Sequence, residues 1–202
     1  MATVDYRTEK GIAILEFNNP PANAYTHEMM RAFDEAILRA RFDEEVSVIV
    51  LRGAGDKFFC AGANIKMLSE TTPEFQYYFA LHGNEVLQRL ENTPKLVIAA
   101  INGHATGGWL EIAMAADIRI AKKDGGRIGL PEVNLGVLPG MGGTQRLPRL
   151  VGKTRAMELM VTGKTISFEE ALEIGVITEI YESENYWEQV LDYARQIGRA
   201  HV

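Results

Sequence analysis

Leu96-Val97-Ile98-Ala99-Ala100-Ile101-Asn102-Gly103-His104-Ala105-Thr106-Gly107-Gly108-Trp109-Leu110-Glu111 is the stretch from which the fold can be read. Leu96 to Ile101 is a short, unbroken apolar run, the pattern of a strand buried on both faces beneath helices. Glycines then interrupt it, a helix follows through Ala116, and Asp117 to Ala121 reads as the next strand. Strand, glycine loop, helix and strand in that order argue for an α/β layered fold.

The flanking sequence repeats this grammar. Val46 to Leu51 is a second buried strand, and Gly11 to Phe17 is a third, stopped by the loop Asn18-Asn19-Pro20-Pro21. Between His27 and Ala40, Met29, Phe33, Ala36, Ile37 and Ala40 fall on one helical face. Phe75, Phe79, His82, Val86 and Leu90 do the same from Pro73 to Glu91, with Pro94 ending the segment. From Thr144 onward the chain reads as mainly helical.

The 202 residues are 47% hydrophobic and 24% charged, which suits one globular domain with a sizeable core and argues against disorder. A formal charge of −6 opposes a phosphate-binding surface, so nucleic acid is not an expected partner. Cys60 is the only cysteine and can form no intramolecular disulfide. No apolar run approaches bilayer length and Met1 to Lys10 does not resemble a signal peptide, so the expected location is the cytoplasm, away from membranes.

Two glycine loops sit between a strand and a helix: Cys60-Ala61-Gly62-Ala63-Asn64 and His104 to Trp109. At such junctions the first amides of the helix lack partners and suit an anion or a developing oxyanion. Neither loop is a nucleotide fingerprint, and tight turning is the ordinary use of such glycines. Two carboxylates nearby point further. Glu111 stands about one turn beyond Gly108 in the apolar run Leu110 to Ala116. Glu132 lies in Ile128-Gly129-Leu130-Pro131-Glu132-Val133, just ahead of Gly140-Met141-Gly142-Gly143. Carboxylates brought together in a dry cleft cannot both ionise freely, so such a pair supplies an acid and a base. His27 and His201 read as surface residues, His82 as a satisfied core histidine, and Cys60 as a small buried side chain with no histidine to activate it.

Phe59-Cys60-Ala61-Gly62-Ala63-Asn64-Ile65, Ile101 to Gly108, Glu111-Ile112-Ala113, Leu130 to Gly136 and Gly142 to Leu147 together resemble, in order, the crotonase superfamily, and within it the enoyl-CoA hydratases. The likeness runs from about Gly11 to about Ala194. It implies a layered β-β-α superhelical core with a mainly helical C-terminal part. It also implies an oxyanion hole built from the amides of Ala63 and Gly108, with Glu111 activating water and Glu132 protonating the α-carbon of a trans-2-enoyl-CoA. The coenzyme A thioester is then the substrate, with no metal or other cofactor. Further contacts implied for the substrate are Ala22, the loop Ala61, Gly62, Asn64 and Ile65, then Gly107 and Trp109, and finally Pro131 and Gly140. An enoyl-CoA isomerase, or a relative that binds RNA or CoA without catalysis, is the alternative within the superfamily.

Three departures stand out. Asn64 replaces a usual Asp. Trp109 replaces a usual Gly and is expected to narrow or reshape the acyl pocket. Family members also continue with helices that cover the site and build a trimer or a dimer of trimers, whereas this sequence stops at Val202. Ile197 to Val202 matches the translation of a common sequencing adapter and is read as a non-native tail, leaving 1–196 as an acyl-CoA-binding domain without its terminal helices.

Overall fold

A computed structural model describes residues 3–60 and 62–198. The chain begins with the hairpin β1 (Thr3–Glu9) and β2 (Ile12–Asn18), followed by α1 (His27–Phe42), β3 (Val48–Gly53) and β4 (Phe58–Cys60). Next come α2 (Ile65–Ser69), α3 (Pro73–Glu91), β5 (Leu96–Ile101), β6 (His104–Thr106) and α4 (Gly108–Met114). β7 (Ile118–Lys122) and β8 (Arg127–Gly129) precede a 3-10 turn over Glu132–Leu135. The remainder is α5 (Gly143–Val151), α6 (Lys153–Thr162), β9 (Ile166–Ser167), α7 (Phe168–Glu173), β10 (Glu179–Tyr181) and α8 (Tyr186–Gly198).

The strands divide between two sheets. One has the order β1-β2-β3-β5-β7-β10, the other β4-β6-β8-β9. Each pair β3/β4, β5/β6 and β7/β8 therefore gives one strand to the large sheet and one to the small sheet before a helical segment. This is the β-β-α superhelix implied by the resemblance. From β2 to β10 the large sheet is parallel, and only its edge pair β1/β2 is antiparallel.

Strands buried on both faces explain the unbroken apolar runs. Ala13, Leu15, Ile49, Leu51, Val97, Ala99 and Ile101 face the main core with α1, α3 and α4. Alternate residues Ile12, Ile14, Val48, Val50, Ile98 and Ala100 face Tyr186, Val190, Leu191 and Ala194 of α8. No helix among the described residues is long and apolar enough to cross a membrane.

The small sheet positions the functional loops. β4, β6 and β8 are parallel neighbours, so the segments leaving them emerge side by side. Those segments are Gly62-Ala63, Gly107-Gly108 and Leu130-Pro131-Glu132. A hydrogen bond from Gly107 N–H to the Gly129 carbonyl, at 2.9 Å, stitches the second exit to the third.

Candidate active site

The loop after β4 is held by a bridge between Tyr25 and Ala63. That bridge uses the Gly62 carbonyl and the Asn64 amide, at 3.1 and 3.0 Å, and so turns the Ala63 amide away from Tyr25. Asn64 caps α2 by accepting a bond from Met67 N at 3.0 Å, a role any Asx side chain fills. Asn23 ties the loop containing Ala22 to the turn after β3 and to β4 by donating to the Ala54 and Phe58 carbonyls.

After β6 the chain turns sharply into α4. Gly107 has φ +63°, a backbone conformation that favours glycine. A Cβ placed on it would lie 3.2 Å from Glu132 Oε1 and 3.9 Å from Gly62 Cα, so both glycine loops and the second glutamate converge here. The first amides of α4, beginning with Gly108, belong to the turn that has no intrahelical partner.

Glu111 lies on α4, only 1% exposed. Its Oε1 accepts Met141 N at 2.9 Å and Gly143 N at 2.6 Å. A Cβ at 143 would stand 2.9 Å from the same oxygen, so any larger residue there would displace the carboxylate. Arg146 braces this turn, donating to the Met141 carbonyl at 2.8 Å while pairing with Glu91 at 2.8 Å. Burial raises the Glu111 pKa, and the Gly143 and Met141 amides, with the Arg146 charge, act against that rise.

Glu132 opens the 3-10 turn that follows β8. Its Oε2 is buried and has no hydrogen-bond partner among the described residues. Burial pushes its pKa up to about 7; its own backbone amide opposes the rise, and the charge of Glu111 adds to it. Glu111 is thus buried and Glu132 half-buried, with the charge of the first acting on the second. One is anchored by amides; the other has a buried oxygen with no partner among the described residues.

The remaining candidate residues lie as follows. The Trp109 ring is 0% exposed and sits among Phe17, Phe59 and Tyr25, at centroid distances of 4.1, 5.7 and 5.8 Å, so it fills the core behind α4 and lines no acyl pocket. Ile65 is exposed at the start of α2. Gly140 is exposed and pinned to α3 through its carbonyl, which accepts Asn84 Nδ2 at 2.6 Å. Pro131 immediately precedes Glu132 and begins its turn. His27 is half-buried, its ring 5.7 Å from that of His82, and the buried His82 Nδ1 has no partner among the described residues, so neither histidine matches its sequence reading. Ala61, Arg199 and His201 lie outside the described residues, as does the Cys60 side chain. Among the described residues no three His, Cys, Asp or Glu side chains gather as a metal would require.

Sequence reasoning passed over the Met141 and Gly143 amides that hold Glu111, and Tyr25, whose ring borders Gly108. The glycine-rich run 140–143 was visible, but its partner lies some thirty residues away, at a separation of 30 to 32.

Known proteins share this arrangement of sheets and loops. The chain is 42% identical over 190 residues to the short-chain-enoyl-CoA hydratase of Clostridium acetobutylicum, covering 94% of this chain and 72% of that one. It is 38% identical over 190 residues to the crotonyl-CoA hydratase of Syntrophomonas wolfei, covering 94% and 73%. The solved structure of an enoyl-CoA hydratase from Geobacillus kaustophilus superposes with a TM-score of 0.96 at 40% identity, covering 98% of this chain and 75% of that one. With the family profile matching residues 7–201, the chain belongs to the enoyl-CoA hydratase/isomerase family.

Proposed function

We propose that the chain is an enoyl-CoA hydratase, adding water across the double bond of a trans-2-enoyl-CoA to give the 3-hydroxyacyl-CoA. The observation that carries this reading is the unequal glutamate pair beside the α4 amides: Glu111 fixed by two N–H···O bonds, and Glu132 with a buried oxygen that has no partner among the described residues and a pKa of about 7. The names of the hydratase relatives support it.

In this mechanism the thioester oxygen sits between the Ala63 and Gly108 amides. As water attacks, negative charge moves onto that oxygen, and each preorganised donor lowers the barrier by about 3 kcal/mol. Glu111, held in one orientation, accepts a proton from water while the water oxygen bonds C3. Glu132 delivers its proton to C2, so that H and OH are added with no net change in the enzyme's protons. The proton left on Glu111 then returns to Glu132 through solvent. No metal or redox group enters the reaction. The assignment of acid to Glu132 rests on the difference in surroundings: two amides and the Arg146 charge oppose the burial-driven rise at Glu111, whereas at Glu132 its own backbone amide alone opposes burial and the charge of Glu111 adds to the rise.

The test is steady-state hydration of crotonyl-CoA by Glu111→Gln and Glu132→Gln. Each is expected to lower kcat by about 10²–10⁴ while leaving acyl-CoA affinity within a few fold. Near-full activity in either variant defeats the assignment.

A further inference from the structure

Directly over Gly108 the space is already occupied. A Cβ on this residue would lie 2.6 Å from Met141 Cε, 2.8 Å from Tyr25 Cε1 and closer still to the Tyr25 hydroxyl. Met141 reaches this spot with its side chain while its backbone amide holds Glu111. Its thioether also packs against Gly83 of α3, where any Cβ would stand 2.8 Å from Met141 Cγ and closer to the sulfur. Glycine at 83 is what gives Met141 room to lie across the site.

Tyr25 closes the other side. The ring is 5% exposed and held between Phe79, stacked at 5.6 Å and 24°, and Trp109, edge-on at 5.8 Å. Trp109 thereby influences the site by backing Tyr25. A ring fixed on two faces cannot swing aside without unpacking its neighbours, whereas a methionine has three rotatable bonds and adapts more readily.

We propose that the Tyr25 ring and the Met141 side chain, meeting over Gly108, form the end wall of the acyl site, so that the chain takes four-carbon enoyl thioesters and disfavours those of eight carbons or more. The inference rests on the reading that Gly108 and the two glutamates seat an enoyl thioester. With C1 at the Gly108 amide and C2 and C3 beneath the glutamates, a longer chain must enter the volume that Met141 and Tyr25 now fill. Overpacking of that kind is unfavourable, and pockets commonly discriminate by about tenfold or more per methylene.

Calorimetric binding of the unreactive esters butyryl-CoA and octanoyl-CoA separates this proposal from the hydratase reading, because it needs no turnover. The native chain should bind octanoyl-CoA more weakly than butyryl-CoA by at least about tenfold, and Met141→Ala should bring the two within a few fold. If Met141→Ala fails to fold, as judged by circular dichroism, Tyr25→Leu decides by the same ratio. Equal affinities in the native chain, or a ratio unchanged in the folded variant, overturns the wall. Chain-length discrimination without hydration of crotonyl-CoA leaves the wall standing and removes the hydratase reading. Hydration with no discrimination does the reverse, and binding of neither ester removes both.

Discussion

Glu111 and Glu132 carry the same carboxyl group in different surroundings, and the difference is measurable as a response to pH. Below the ordinary glutamate value of 4.5, Glu132 is protonated in both the folded and the unfolded chain and contributes nothing to pH dependence. Between that value and about 7, the unfolded chain loses the proton while the folded chain keeps it, so rising pH works against folding across this window and levels off above it. Thermal melts at pH values from about 5 to about 8 should therefore show the native chain losing more stability than Glu132→Gln. Parallel curves would show that Glu132 holds no raised pKa. Glu111 was legible in the sequence as a lone charge in an apolar helix; the amides that anchor it were not, since residues 141 and 143 reach it only through tertiary folding.

At the scale of elements, α4 presents Glu111 to the site and Trp109 to the core, although only two positions separate them. Adjacent helical positions diverge by about 100°, which allows so large an indole to stand beside an oxyanion loop without entering it. Trp109→Ala should cost about 3–5 kcal/mol, read from urea denaturation midpoints, because it removes the ring that Phe17, Phe59 and Tyr25 surround. A loss below about 1 kcal/mol would show that the ring is not packed as described. Long elements were readable: the helix over Pro73–Glu91 and the strand over Leu96–Ile101 have the bounds their patterns predict. β4, β6 and β8 were not, because three-residue strands carry no period. β1 also escaped; it is an edge strand, largely exposed, and its polar residues Thr3, Asp5, Arg7 and Glu9 give no buried pattern.

Across the whole molecule, repetition of one unit brings distant residues together. Each turn of the superhelix ends a small-sheet strand at the same edge, so the segments carrying Gly62, Gly107 and Glu132 converge although the sequence places them far apart. The large sheet, packed on one face by α8 and on the other by α1, α3 and α4, keeps that edge in place. Under the proposed function the amides and the two carboxylates act on one thioester, and hydration is the reaction that uses all of them. Incubating the chain with crotonyl-CoA in water enriched in oxygen-18, followed by mass spectrometry of the product, asks for that reaction alone. One labelled oxygen at C3 of 3-hydroxybutyryl-CoA is expected; an unlabelled product whose double bond has only changed position would refute hydration and leave isomerisation in its place.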